Sequence, residues 1–208
     1  MYSIEQASLY RLPRLSIYYL VYKRVLDLVL GMVGLLFSLP IILFFSLLIR
    51  LETPGSPIYV QERLGKNGKI FKIIKLRSMR SDAEKEGARW AASNDCRVTR
   101  IGKFIRKTRI DELPQFFLII KGDMSIVGPR PERPMFTEQF AREISGFENR
   151  LLVKPGLTGL AQVRGGYDIS PEEKFKHDME YIKHVSFLLD LKIIIRTFSV
   201  IITGEGAR

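Results

Sequence analysis

Cysteine is nearly absent from this chain. Cys96 stands alone among 208 residues, which excludes a disulfide framework and any zinc site built from several thiolates. Histidine is almost as scarce. His177 and His184 are seven positions apart, outside the i, i+4 spacing that puts two imidazoles on one metal, and neither is assigned a role. No Gly-x-x-x-x-Gly-Lys-Ser/Thr stretch occurs, so a P-loop nucleotide site is excluded. Acidic residues are in deficit, with 22 Asp+Glu against 33 Lys+Arg and a formal net charge of +11. Such a balance calls for a polyanionic partner: nucleic acid, an anionic membrane surface, or phosphate-bearing substrates. A nucleic-acid module would interleave aromatics with its cations. No such motif is present, so nucleic acid is not the expected partner.

Long apolar runs are also few, and the one that exists is decisive. Residues 25–49, VLDLVLGMVGLLFSLPIILFFSLLI, carry a single charge, Asp27. About 20 apolar residues suffice to cross the hydrocarbon as a helix. The run starts too far into the chain and is too long for a signal peptide. A polytopic transferase, which needs several spans, is excluded. Pro40 interrupts the run with Ser38 two residues before it. Proline removes a backbone donor and kinks a helix, and the Ser38 hydroxyl is placed to satisfy a freed carbonyl. Lys23 and Arg24 precede the run and Arg50 follows it. Cations at both ends conflict with a straight span under the positive-inside bias, and suit a bent, re-entrant helix whose ends share one face. On the residues alone, both topologies stand open.

The organisation follows from these features. Residues 1–22 read as an interfacial arm, 23–52 as the membrane helix, and 53–208 as a catalytic domain with membrane-surface helices. The expected fold is mixed α/β and mainly helical. Two strand-like runs, 58–63 and 70–75, flank Lys66-Asn67-Gly68-Lys69, a hairpin signal. Residues 81–96 are polar and read as a surface helix or loop. Arg97, Arg100, Lys103, Arg106, Lys107 and Arg109 follow without an intervening acid. Their helical phase puts cations on one face and Ile101, Phe104 and Ile105 on another. This fits a helix at a membrane interface or a solvated basic face over a core. Near the C-terminus, Phe187, Leu191, Ile194, Phe198 and Ile201 recur at helical spacing beside Lys192, Arg196, Ser199 and Thr203. That is a second surface-bound element or a buried core helix.

The chemistry concentrates in 108–131, TRIDELPQFFLIIKGDMSIVGPRP. Asp111 is placed to cap a helix with Pro114 in its first turn, and Gly122 to end it. A helix start attracts anions, and two carboxylates facing a phosphate require an intervening cation. Mg²⁺ suits carboxylate and phosphate oxygens. One carboxylate could then attack phosphorus. A plain helix cap is the competing account. Gly128-Pro129-Arg130-Pro131 holds an arginine on a stiff backbone, as a phosphate clamp or as a surface turn.

Taken in order, the segments resemble the monotopic phosphoglycosyl transferases, the bacterial sugar transferase family in its minimal catalytic form. The resemblance is carried by Lys23, Arg24 and Asp27; the helix broken at Ser38 and Pro40; Gln61-Glu62-Arg63-Leu64-Gly65; Lys75-Leu76-Arg77-Ser78-Met79; Ile110 through Gln115; Lys121 through Ser125; Val127 through Pro131; Lys154-Pro155-Gly156; and 189–192. It implies a re-entrant helix on the cytoplasmic face of the bacterial inner membrane. It implies Asp111 as nucleophile and metal ligand, Glu112 as its catalytic neighbour, and Mg²⁺ as cofactor. A UDP-sugar would lose UMP, and the phospho-sugar would pass to polyprenyl (undecaprenyl) phosphate, with downstream glycosyltransferases consuming the product. Substrate contacts fall to Arg106, Arg130, Lys75, Arg77, Gln162 and Asp178. The chain departs from the family at 159–166, reading Gly-Leu-Ala-Gln-Val-Arg-Gly-Gly where members usually read Gly-Trp-Ala-Gln-Val-Asn-Gly-Arg. That stretch is expected on the domain's rim, where sugar choice or membrane docking would differ.

Overall fold

A computed structural model describes residues 16–85, 87, 95–165 and 169–203. It is mainly helical. The membrane run forms one continuous helix, α1 (Ile17–Glu52), started by Ser16, whose hydroxyl accepts from Tyr18 N. At 1.5 Å per residue its 36 residues extend about 54 Å. The assignment continues through Pro40. The Ser38 hydroxyl donates to Leu35 O at 3.2 Å, one residue before the carbonyl of Leu36 that Pro40 leaves without its i→i−4 donor. The arm expected over 1–22 lies partly outside the described residues, and 17–22 form the first turns of α1.

Although apolar on nearly all sides, α1 is buried only along a strip that includes Asp27, Gly31, Ser38 and Ile49. Leu36, Phe37, Leu43 and Leu47 are exposed. Two glycines bring the strip close to α3 (Phe116–Lys121): a Cβ on Gly34 would lie 2.5 Å from the Phe116 ring, and one on Gly31 would lie 3.1 Å from Ile120. Polar bonds fix the register. Arg24 donates to the carbonyls of Ile119 (2.9 Å) and Ile120 (2.8 Å) in the last turn of α3, where helix carbonyls lack a full set of donors; Ile119 O also accepts from Gly122 N. Asp27 accepts from Ser125 Oγ and Ile126 N.

The hairpin forms as expected. β1 (Ile58–Leu64) and β2 (Ile70–Leu76) pair antiparallel, with Ile58 opposite Leu76. In the five-residue connection between them Lys69 N donates to Lys66 O, and Asn67 (φ 57°) and Gly68 (φ 72°) at the centre of that turn both take the left-handed conformation, the positive-φ pair that Asn-Gly favours. A second small sheet pairs β3 (Ser125–Val127) parallel to β4 (Gly156–Thr158). The core joins Phe71 and Ile73 of the hairpin to Leu118, Ile119, Met124, Tyr181 and Ile193. Around it lie α4 (Pro134–Glu143), α5 (Leu160–Gly165), α6 (Pro171–Lys183) and α7 (Phe187–Thr203). Residues 81–85 form turns, and most of 86–94 lies outside the described residues.

Two expectations change, and at α7 the buried-core alternative is not met. α7 buries one edge (Asp190, Ile193, Val200) and exposes the apolar side chains Phe187, Leu191, Phe198 and Ile201, so the sequence stripe marks its outward face. In the basic helix α2 (Arg100–Lys107), Ile105 is buried but Phe104 points outward, stacked on Phe45 of α1 at 5.7 Å. Leu160, expected on the rim, belongs to the core, while Arg164 on the surface pairs with Glu180. Gly166 lies outside the described residues.

Candidate active site

Asp111 and Glu112 sit in a 3-10 helix, Ile110–Gln115, that runs directly into α3. Asp111 is therefore not the cap expected from sequence. The cap position belongs to Arg109, a non-glycine residue at φ 58°. Left-handed backbone at a bulky residue is costly and concentrates at functional sites. Here it turns the chain sharply from α2 into the dyad. Gly122 ends α3 at φ 98°, as its position in the sequence predicted.

Asp111 lines a cleft of about 530 Å³, with Glu112 set behind it. Among the described residues ten Lys and Arg side chains and three carboxylates line it, so its field favours a multiply charged anion. The two neighbouring carboxylates have different environments. Glu112 accepts from Lys75 Nζ at 2.7 Å and from both Nη atoms of Arg130. Burial works to raise its pKa, but Arg130 and Lys75 outweigh burial and hold it well below the usual carboxylate range. Asp111 makes no hydrogen bond through its carboxylate among the described residues, and Lys75 Nζ lies 4.0 Å away. Burial pushes its pKa up to about 6; Lys75 opposes this, and the adjacent Glu112 charge adds to it. One carboxylate is thus a fixed anchor for two cations. The other has no such anchor, and with its pKa near 6 it is mostly ionised at neutral pH.

The profile of the bacterial sugar transferase family matches residues 18–204. The chain belongs to that family. Among curated relatives of this sugar transferase, a candidate undecaprenyl-phosphate N-acetylgalactosaminyl 1-phosphate transferase of Bacillus subtilis is 59% identical over 150 residues, covering 72% of this chain and 84% of that one. The Aeromonas hydrophila UDP-N-acetylgalactosamine-undecaprenyl-phosphate N-acetylgalactosaminephosphotransferase is 46% identical over 189 residues, 89% of this chain and 45% of that one. The Escherichia coli UDP-glucose:undecaprenyl-phosphate glucose-1-phosphate transferase is 41% identical over 180 residues, 84% of this chain and 39% of that one. The chain spans less than half the length of the last two.

Within the sugar transferase cleft, Lys75, Arg77, Arg106, Asp111, Arg130 and Gln162 come together, whereas Asp178 does not join the lining. Their engagements differ. Arg77 turns its guanidinium onto the end of α1, donating to Pro54 O (2.7 Å) and Thr53 O (2.8 Å). Gln162 donates to Leu157 O, tying α5 to β4, and its Oε1 is buried without a partner among the described residues. Asp178 lies behind the wall, 1% exposed, and accepts from Arg150 Nε and Nη2. Arg150 in turn donates to Arg130 O at 2.9 Å. Asp178 therefore supports the Arg130 backbone from behind.

Sequence reasoning missed Glu132, Arg150 and Lys174. Glu132 accepts from Lys174 and lies 3.9 Å from Arg150 and 3.6 Å from Arg63. Burial works to raise its pKa, but Lys174, Arg150 and Arg63 together hold it down at about 2. Its place directly after Pro131 was a usable signal. Arg150 and Lys174 stand outside every motif in the sequence, and nothing local marks them.

The chemistry of the donor set is compatible with Mg²⁺. Among the described residues no three His, Cys, Asp or Glu side chains converge, so an all-protein cage is not offered. Mg²⁺ characteristically takes one or two carboxylates and completes its shell with substrate phosphates and water. A single unbonded carboxylate beside an anion-attracting cleft fits that habit.

Proposed function

We propose that this sugar transferase moves a sugar 1-phosphate from a UDP-sugar to undecaprenyl phosphate and releases UMP, through a covalent intermediate on Asp111. The observation that carries the reading is the split between the adjacent carboxylates. Glu112 is locked between Lys75 and Arg130, while Asp111 is free, buried and ionised at neutral pH, at the edge of a cationic cleft. An Asp111 oxygen attacks the sugar-bearing phosphorus. The bond from that phosphorus to the bridging oxygen breaks, and UMP leaves with the electron pair. A phosphate oxygen of the polyprenyl lipid then attacks the same phosphorus and displaces Asp111. Lys75 and Arg130, oriented by Glu112, face the phosphates, and Arg106 adds to the field around Asp111. Mg²⁺, held by Asp111 and substrate phosphates, would neutralise diphosphate charge.

Two of the relatives, at 59% and 46% identity, carry N-acetylgalactosamine in their names, so UDP-N-acetylgalactosamine is the first donor to try, with UDP-glucose second. Intact mass of the purified chain after incubation with Mg²⁺ and each donor, without lipid, reads the intermediate. Gain of one phospho-sugar, absent in Asp111→Asn, is expected. UMP release on adding lipid with no Asp111-dependent adduct at any time point sinks the covalent route. No UMP release with any donor sinks the transferase reading.

We further propose that the chain lies on the cytoplasmic face of the inner membrane as a monotopic protein, with α1 re-entrant. Packing along α1 supports this. Arg24, Asp27, Gly31, Gly34, Phe45 and Ile49 meet the same domain from one end of the helix to the other. A straight span would carry that domain into the bilayer. The outward apolar side chains of α1 and α7, with Phe104 and Phe117, form the surface that enters lipid.

A further inference from the structure

We propose that Glu52, in the last turn of α1, is a positioning residue for Arg106. The assignment uses the transferase reading only for its kinetic readout. α2 has four backbone N–H groups at its start with no partner inside the helix. The side chain of Thr99 accepts from Gly102 N at 2.9 Å, and Thr99 O takes Lys103 N at 2.9 Å. The remaining two donors go to a residue 48 positions earlier. Glu52 Oε1 accepts from Arg100 N at 2.8 Å, and both its carboxylate oxygens accept from Ile101 N, at 3.4 and 3.2 Å. A carboxylate there also meets the positive end of the helix dipole.

The consequence lies at the other end of α2. Arg106 is six residues on, about 9 Å along the axis, and it lines the cleft beside Asp111. Apolar contacts also join α1 and α2: Ile105 and Ile49 share a core cluster with Leu76 of β2, and Phe104 stacks on Phe45. Apolar packing is non-directional and tolerates sliding and rotation. Two consecutive N–H groups held by one carboxylate do not. Glu52 therefore sets the axial position of α2 against the membrane helix, and with it the reach of Arg106. The next two residues are held from the opposite side, since Arg77 grips the carbonyls of Thr53 and Pro54. The junction between membrane helix and catalytic domain is thus tied to two cleft-lining arginines.

A double-mutant cycle on the full-length chain in lipid nanodiscs tests this. UMP release is measured for Glu52→Ala, Arg106→Ala and the pair. If Glu52 acts through Arg106, each single change lowers kcat/KM at least tenfold, and the pair is no worse than Arg106→Ala alone. Glu52→Gln, which keeps an acceptor oxygen, recovers most of the loss. Multiplicative losses in the pair, or a silent Glu52→Ala, overturn the proposal. Should Glu52→Ala fail to fold, Glu52→Asp, which withdraws the carboxylate by about 1.5 Å, enters the same cycle with the same criteria. If the unmodified chain releases no UMP from any donor, the transferase reading fails. The cycle is then read as UDP affinity by calorimetry, where coupling sustains the Glu52 assignment and additivity or absence of binding overturns it.

Discussion

Replacing Lys75 by Met removes the ammonium while keeping an apolar stem of similar length. Its effect follows from two distances. Lys75 Nζ is 2.7 Å from Glu112 and 4.0 Å from Asp111. Glu112 retains Arg130 after the change. Asp111 loses a partner that holds its pKa down. Two unit charges 4.0 Å apart at an effective dielectric of 20 interact by about 4 kcal/mol, equivalent to about three pH units. Water in the open cleft screens part of this, so a rise of about one to three is expected. The unmodified Asp111, at about 6, is about 90% ionised at pH 7. In Lys75→Met the ionised fraction falls to between about half and about 1%. The nucleophile must be ionised, so activity is present above the pKa and lost below it. The acid limb of kcat/KM for UMP release, followed from pH 5 to 9.5, should move to higher pH by one unit or more, with recovery at the alkaline end. A loss that is uniform across pH, with the limb where it was, would refute the electrostatic link between Lys75 and Asp111.

Three further outcomes are expected. Asp111→Asn should raise stability while abolishing turnover: burial lifts the carboxylate from 3.8 to about 6, so holding it ionised at pH 7 costs about 1–3 kcal/mol, a Tm gain of about 2–4 °C per kcal/mol. The same sign predicts that the unmodified chain loses stability as pH rises through about 6, and that the variant lacks this slope. Gly34→Ala should destabilise despite the better helix propensity of alanine, since its Cβ would lie 2.5 Å from the Phe116 ring. Overpacking costs about 1–3 kcal/mol against about 1 regained, and an unchanged or raised Tm would show that α1 does not seat on α3. Pro40→Leu should favour a spanning topology, seen as a change in accessibility of tags at the two ends, and identical labelling of both proteins would remove the support for a proline-dependent bend.

Much of the architecture was legible because it is written in short stretches. A 25-residue apolar run has to find a membrane or a core. Asn67-Gly68 accepts the two positive φ angles that the turn between β1 and β2 uses, and Gly122 stops a helix because it alone bears φ near 98° without cost. The motif residues Asp111, Glu112, Lys75 and Arg130 were visible as types in order. Which carboxylate is anchored and which is free was decided by tertiary structure, because the partners of Glu112 are 37 and 18 residues away. Those separations are meaningful only once the hairpin, the 3-10 helix and the Pro129-Arg130-Pro131 turn have packed together. The placement of Asp178 behind the cleft, the Glu132 cluster and the grip of Glu52 on α2 have the same origin. A side chain's charge and size are local properties, whereas its burial and its partners, which set its pKa and its use, are properties of the packed chain.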